Sequence, residues 1–283
     1  MAGLFDLEFH EKKIKEYQPT LAKLDLVIDW EMFRETIEKA LYVEPKGAGG
    51  GPPFDKIMMF KILILQKYYN LSDEQTEFQI NDRTSFKQFL GLKIGDTIPD
   101  EKTIWHFKEQ LANKDLSKSL FEMFAVALMD KGIIAKEGSI VDATFVDVPK
   151  QRNSKEDNAD IKKGAVPLKF GKKDKNGKQS KLCQKDTDAR WMTKSGEKHF
   201  GFKDHINADE KTKLITKYSV TSAAPHDSTE IENIVDETDD RLNADSAYRS
   251  KEIEEHLKAI ECESFVHEKG YRGSPLTEQQ KEL

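Results

Sequence analysis

The stretch Gly138-Ser-Ile-Val-Asp-Ala-Thr-Phe-Val-Asp-Val-Pro149 is the part of this sequence that decides its fold. Its β-branched and aromatic residues, bounded by glycine and proline, predict a buried central β-strand. Asp142 lies inside this run. An ionised carboxylate in a buried strand is costly to desolvate unless it meets a positive or hydrogen-bonding group. The sequence therefore predicts that a cation, a lysine or backbone N–H groups meet Asp142.

The residues after this strand predict a mixed α/β sheet. From residue 199 the apolar period becomes two, which predicts a hairpin of strands at 199–206 and 213–221. A helix through Ile231 and Ile234 follows, and then a strand at 240–245, a helix at 251–259 and a strand at 261–267. This order of a strand, an insert, a hairpin and alternating helices and strands is typical of a mixed sheet with crossover helices.

A second acid, Asp245, ends the predicted strand at 240–245. Ligands collect at the carboxyl ends of strands in such sheets. If the two acid-bearing strands are neighbours, Asp142 and Asp245 converge, and their repulsion requires either a bound proton or a divalent cation. Oxygen-only ligands suit Mg²⁺ or Mn²⁺. In the simpler alternative, Asp245 is the N-cap of the segment that follows it.

The N-terminal part, residues 1–132, has helical patterning throughout. Helices are predicted to begin after Asp29, Asp55, Ser72 and Asp100, and residues 45–53 form a linker rich in glycine and proline. The short helices between residues 72 and 111, joined by tight turns, resemble a helix-turn-helix with residues 100–111 as the recognition helix. A plain helical bundle is the alternative.

A basic segment follows the first acid-bearing strand. Residues 150–185 contain twelve Lys or Arg against four acids, with scattered glycines and almost no apolar periodicity. This composition predicts a solvated loop that cannot fold alone, and its position allows it to track phosphates instead. The whole chain has a formal charge of −6 and a pI near 5.8, which argues mildly against nucleic-acid binding.

The sequence lacks the features that mark several functional classes. The longest apolar stretch, residues 57–65, is broken by Lys61 and is too short for a membrane span, and we find no secretion signal. Cys183 and Cys262 are far apart, so neither a disulfide framework nor a zinc knuckle is expected, which suits a reducing cytoplasm. The sequence contains no Gly-rich phosphate loop, no Ser-His-Asp order and no metalloprotease helix motif.

Motifs along nearly the whole chain resemble the insertion-sequence-five group of bacterial DDE transposases. They are Gly50-Gly-Pro-Pro-Phe-Asp55, Tyr69-Asn-Leu-Ser-Asp-Glu-Gln75, Gln79-Ile-Asn-Asp-Arg-Thr-Ser-Phe86, Pro99-Asp-Glu-Lys-Thr-Ile-Trp105, Ile140-Val-Asp-Ala-Thr-Phe145 and Ala244-Asp-Ser-Ala-Tyr-Arg-Ser250. The resemblance implies an RNase H-like core at residues 138–283 with a basic insertion at 150–190. It also implies an all-α DNA-binding domain at residues 1–132.

The resemblance further implies a DNA transposase of the bacterial cytoplasm that cleaves and joins double-stranded DNA at inverted-repeat ends. Asp142 and Asp245 would be the first two metal-binding acids and would hold two Mg²⁺ or Mn²⁺ ions roughly 3.5–4 Å apart. A homodimer is implied because two DNA ends must be held. The predicted DNA contacts are Lys162, Lys163, Lys172 and Lys173 in the basic segment, and Arg249 after the second acid.

One feature departs from the family. Its third acid, a Glu on a helix beyond the last core strand, has no match before Leu283, and we assign that role to neither Glu268 nor Glu278. The expectation is a truncated transposase that binds metal weakly and cleaves DNA poorly. The alternative is a non-catalytic DNA-binding fragment that regulates a full-length transposase.

The remaining aromatic and histidine residues have plainer interpretations. His205 is predicted on the hairpin surface. Trp105 and Trp191 are predicted as core or loop anchors, with base-stacking platforms as the alternative. His226 belongs either to a turn and helix cap or to the neighbourhood of the metal site. Tyr248 either positions DNA phosphate together with the following arginine or packs at a helix start.

Overall fold

The computed structural model describes residues 6–17, 19–44, 52–135, 137–167, 170–173, 179–181, 185–194 and 196–267. Most of the predicted linker, Cys183, Glu268 and Glu278 lie outside these ranges. The chain divides into two compact units, Met1–Ala127 and Leu128–Leu283. None of the helices in the described ranges has the length and apolar character that a membrane crossing requires.

The first unit is helical. Its helices are α1 (Asp6–Tyr17), α2 (Pro19–Val27), a 3-10 turn (Trp30–Phe33), α3 (Arg34–Ala40), α4 (Lys56–Tyr68), α5 (Asp73–Asp82), α6 (Thr84–Leu90) and α7 (Glu101–Asn113), and α8 (Leu116–Asp130) continues past the unit's end. The caps predicted at Asp29, Asp55, Ser72 and Asp100 all form, because each side chain accepts a hydrogen bond from a backbone N–H of its first turn. Their helices bury a shared apolar core around Phe33, Ile62 and Phe86.

Two predictions for this unit need correction. Only Arg83 separates α5 from α6, but residues 91–100 separate α6 from α7, so the turns are not all tight. Helix α7 packs against α5 and buries Ile104 and Phe107. Its outer face carries Lys102, Trp105 and His106. Trp105 is 52% exposed, so its prediction as a core or loop anchor is wrong.

The second unit is built on a mixed sheet. Its strands are β1 (Ser139–Asp147), β4 (Arg190–Lys194), β5 (Glu197–Asp209), β6 (Ile215–Ser222), β7 (Arg241–Ala244) and β8 (Glu263–Val266), in the order β4-β5-β1-β7-β8 with β6 also paired to β5. Strand β1 is antiparallel to β5 and parallel to β7, and β7 is parallel to β8. The predicted fold class, an RNase H-like mixed sheet preceded by helices, is confirmed.

One face of this sheet forms the core of the second unit. Helices α10 (Ile231–Ile234) and α11 (Lys251–Ala259) contribute buried apolar residues to one cluster with Val141 and Leu242. Two 3-10 helices, Asp227–Glu230 and Ser246–Tyr248, pack against each other at the edge of this cluster. Strand β1 therefore alternates, with Val141 and Ala143 buried and Asp142 exposed. The prediction of a buried environment for Asp142 is wrong, because its side chain points away from the helices.

The basic segment contains regular structure, contrary to the prediction of a loop. Helix α9 (Lys155–Lys162) begins with a capping box between Ser154 and Asp157, and it buries Ile161. Two short strands, β2 (Gly171–Lys173) and β3 (Gln179–Lys181), pair with each other. The capping box and the burial of Ile161 stabilise α9, and composition alone indicated neither of them.

Candidate active site

The register of β1 and β7 places the two acids beside each other. The parallel pairs are Ser139 with Leu242, Ile140 with Asn243 and Val141 with Ala244. Asp142 is the next residue of β1, and Asp245 directly follows the last residue of β7. Side chains alternate between the two faces along a strand. The residues that directly follow two paired residues therefore point to the same face of the sheet. Both carboxylates are exposed.

Each acid also makes the local hydrogen bond that the simpler interpretations predict. Oδ1 of Asp142 accepts a hydrogen bond from the backbone N–H of Ala143 at 2.8 Å. Oδ1 of Asp245 accepts one from the N–H of Ala247 at 2.8 Å and so caps the 3-10 helix Ser246–Tyr248. Within the described residues, Oδ2 of neither acid has a hydrogen bond. Each carboxylate is therefore held by one oxygen while the other remains available to a ligand.

No basic side chain in the described ranges pairs with either acid. Lys203 of β5 is a buried lysine, only 1% exposed, and it points to the opposite face of the sheet from Asp142. Its Nζ donates to the carbonyl oxygen of Pro225 at 2.5 Å and lies 2.7 Å from Oδ1 of Asp227. Lys203 therefore does not neutralise Asp142, contrary to one of the alternatives predicted for that acid. Two neighbouring carboxylates that lack a basic partner are suitable ligands for a divalent cation.

The side chain of Tyr248 lies under the acids. It is buried in the apolar cluster with Val141, and its hydroxyl has no hydrogen-bond partner among the described residues. Burial raises the pKa of Tyr248 above its usual value, and the carboxylates of Asp227, Asp142 and Asp245 add to this shift. Of the two alternatives for Tyr248, packing is therefore the one the structure favours.

Lys203 connects the sheet to the turn that leads into α10. Asp227 begins the 3-10 helix that packs against Ser246–Tyr248, so the ion pair ties β5 to the segment capped by Asp245. His226 caps the same turn, because its Nδ1 accepts a hydrogen bond from the N–H of Ser228 at 3.3 Å. Of its two predicted roles, His226 therefore has the one in the turn and helix cap.

Strand β5 buries its polar residues, and sequence reasoning missed this. Lys203, His205 and Asn207 face the helices, while Phe202 and Ile206 are only half-buried. The prediction of a surface position for His205 is wrong, since its side chain is 0% exposed and its Nε2 lies 3.0 Å from Oγ1 of Thr221. Burial is the main cause that lowers the pKa of His205, and nearby carboxylates oppose the shift.

The predicted DNA contacts lie at separate places in the second unit. Lys162 and Lys163 are exposed at the end of α9. Lys172 and Lys173 belong to β2, but their side chains are outside the described part. Arg249 is exposed, and its Nη1 donates to the carbonyl oxygen of Val266 at 3.0 Å, so its head group is anchored to β8.

In the described residues, no group of three or more His, Cys, Asp and Glu side chains is arranged to hold a metal ion. The other acid on β1, Asp147, is the last residue of the strand. It points to the opposite face from Asp142 by strand parity, and one of its oxygens lies 3.3 Å from Nδ1 of His199. Among the described residues, the candidate site thus consists of two acids, Asp142 and Asp245.

Comparison with known families gives two matches. The family model described as Transposase domain (DUF772) matches residues 8–110, and the one described as Transposase DDE domain matches residues 134–283. The second match covers more than half of the chain and includes both Asp142 and Asp245. No solved structure matches the chain.

Proposed function

Because this chain belongs to the DDE transposase family, we propose that it acts at the inverted-repeat ends of an insertion sequence of the insertion-sequence-five group. Members of the family bind DNA and generally use divalent metal ions. We propose that this chain cleaves DNA strands and transfers them, with Asp142 and Asp245 as its catalytic, metal-binding acids.

The observation that carries this proposal is the parallel register of β1 and β7. It makes Asp142 and Asp245 neighbours although 103 positions separate them in the chain. The backbone N–H groups of Ala143 and Ala247 orient one oxygen of each carboxylate. The second oxygens would hold the ions, for which we propose two Mg²⁺ or Mn²⁺.

The chemistry follows from the family and from these ligands. Bound divalent ions would activate water or a DNA 3′-hydroxyl and stabilise the leaving oxygen of an in-line phosphoryl displacement. The role of Asp142 and Asp245 is to hold two negative charges next to each other at an exposed strand end. Their mutual repulsion favours cation binding over two unpaired carboxylates.

We propose that catalysis by this chain is impaired. In the described ranges only two carboxylates converge, and no third His, Cys, Asp or Glu joins them. Fewer anionic ligands mean weaker binding of a divalent cation and slower cleavage. The same observation favours a second candidate function, a non-catalytic DNA-binding fragment that regulates a full-length transposase. Gel-shift binding of the inverted repeats without cleavage would identify this second function.

The DNA contacts that we propose come from both units. Helices α5 to α7 would recognise the transposon ends, and the lysines at 162, 163, 172 and 173 together with Arg249 would bind phosphates of transposon or target DNA. Holding two ends requires two copies of the chain, so we propose a homodimer on DNA. Since bacterial DNA is the substrate, the expected location is the cytoplasm.

The test replaces each acid by its amide. In Asp142→Asn, Asp245→Asn and the double variant, Mn²⁺ affinity measured by electron paramagnetic resonance should fall at least tenfold, because a carboxylate ligand is lost. Asp147→Asn is the matched control, since Asp147 is exposed on the same strand but lies on the other face. Unchanged Mn²⁺ affinity in the double variant would contradict the proposed site. The same proteins, incubated with DNA that spans the inverted repeats, report cleavage.

A further inference from the structure

A two-stranded extension continues the sheet beyond the acids. Strand β1 pairs with residues 201–209 of β5, whereas residues 197–201 of β5 pair with β4. We call this β4–β5 part, residues 190–194 and 197–201, the arm. Because β1 and β5 are antiparallel, the arm lies past the carboxyl end of β1. Gly201 allows the close approach at the base of the arm, since a Cβ there would lie 2.1 Å from the carbonyl oxygen of Val146.

The exposed side chain of Trp191 shares a face with Asp142. Asp142 pairs with Ile206, and Trp191 pairs with Phe200, six residues further along β5. Paired residues share a face, and residues an even number apart on one strand share it too. At about 3.3 Å per residue and 4.8 Å per strand, Trp191 lies about 20 Å from Asp142.

The ring of Trp191 packs against a buried aromatic ring and remains half exposed. It is 50% exposed on an edge strand, and its ring centroid lies 5.0 Å from that of the buried Phe200 at an interplanar angle of 40°. Nζ of Lys150 lies 5.9 Å from the Trp191 centroid. Lys198 is exposed, and it pairs across the arm with Thr193, so it lies on the same face as Trp191. The prediction of Trp191 as a core or loop anchor is wrong.

We propose that Trp191 is a stacking platform for an unpaired DNA base, and that Lys150 and Lys198 bind the phosphates beside it. A supported aromatic ring with neighbouring ammonium groups has the chemistry of single-strand binding surfaces. In a duplex the faces of the bases are covered by their neighbours, so the occupant is a base that has left the stack. This inference rests on the proposed function, because the strand is the one delivered to the acids.

The position of Trp191 sets which nucleotide it contacts. DNA advances about 3.4 Å per nucleotide along one strand, so about 20 Å corresponds to roughly six nucleotides from the phosphate at the acids. Thr144 and Val146 of β1 are exposed on the same face between the two sites. The strand would therefore run along β1 and reach the arm without crossing a covered surface of the sheet.

The experiment measures binding without cleavage. The full chain is titrated in EDTA with a single-stranded oligonucleotide of about 20 nucleotides containing 2-aminopurine, and with the blunt duplex of the same sequence. Trp191→Ala should lower the single-strand affinity about 5- to 150-fold, which corresponds to the stacking of one base. Trp191→Phe should retain most of that affinity, and Lys150→Gln should reduce the salt slope by about 0.7.

The controls separate this inference from the proposed function and from misfolding. Val220→Ala removes another exposed apolar side chain of this unit, which lies on β6 opposite Asp204 and outside the arm, and it should leave both affinities unchanged. The duplex affinity should not change in Trp191→Ala. A single-strand affinity within twofold of the unmodified chain, or equal losses with both DNAs, would overturn the stacking site. Because EDTA removes the metal, loss of Mn²⁺ binding at the acids cannot produce either outcome.

Discussion

Replacing Lys203 with methionine tests whether a buried ion pair supports the candidate site. Nζ of Lys203 lies 2.7 Å from Oδ1 of Asp227 and donates to the carbonyl oxygen of Pro225. Methionine has similar length but no charge, so the substitution leaves the Asp227 carboxylate, which is 14% exposed, without its cation. Removing one partner of a buried pair typically destabilises a protein by about 3–5 kcal/mol. This is a large part of the total stability of a typical protein, about 5–15 kcal/mol.

The loss should reach Asp245 through the packed 3-10 helices. Asp227 begins one of them, and Asp245 caps the other. We therefore expect Lys203→Met to lower Mn²⁺ affinity at the acids even though Lys203 does not pair with either of them. Combining it with Asp227→Asn should restore much of the stability, because neither member of the former ion pair then carries a charge.

Hydrogen exchange measured by mass spectrometry is the appropriate assay. The chain has two units, so a single denaturation curve would mix their transitions. Amides of β1 and β5 should exchange about 100-fold faster or more in Lys203→Met, since each 1.4 kcal/mol changes an equilibrium constant tenfold. Lys198→Met, an exposed position on the same strand, is the control and should change exchange little.

Two results would refute this reasoning. If the two lysine variants accelerate exchange equally, burial of the Lys203 ammonium does not matter. If the double variant with Asp227→Asn is no more stable than Lys203→Met, the destabilisation does not come from an unpaired carboxylate.

Two further predictions concern buried groups of the second unit. Burial lowers the pKa of His205 from its usual value of 6.5, so the unfolded chain binds the proton more readily and stability should fall as the pH drops below about 6.5. Hydrogen exchange of β5 amides between pH 5 and 8, corrected for the pH dependence of exchange itself, should lack this component in His205→Gln, and an unchanged pH profile would contradict it. Tyr248→Phe removes a buried hydroxyl that has no hydrogen-bond partner among the described residues. The free energy of opening that protects the β7 amides should therefore rise by about 1–3 kcal/mol, and their hydrogen exchange should slow accordingly. Faster exchange would mean that the hydroxyl does make a hydrogen bond.

Local chemistry explains what could be predicted from the sequence. The caps at Asp55, Ser72 and Asp100 form because a side-chain oxygen can reach an N–H two or three residues away, whatever the rest of the fold does. Helix α11 spans the predicted residues because its apolar spacing and its Ser250 cap agree. The fold class followed from the order of such elements.

The predictions that failed depended on groups distant in sequence. Composition indicated a loop at 150–185, but Ile161 is buried and so α9 is stabilised by packing. The polar residues of β5 are buried because their partners arrive from later segments: Lys203 meets Asp227, and Nδ2 of Asn207 lies 3.0 Å from Oδ1 of Asp239. Alternation along a strand indicates two faces, but only the packing of other elements decides which face is covered.

By itself, the sequence determined that two aspartates end or interrupt strands in a chain with transposase motifs. Only the tertiary structure decided that β1 and β7 pair in parallel, and that the register brings Asp142 and Asp245 to neighbouring positions on the exposed face. Strand pairing joins residues 103 positions apart through backbone hydrogen bonds that any sequence can make. The choice of partner and register therefore comes from packing of the helices on the covered face, where Val141, Leu242 and Ala244 lie together.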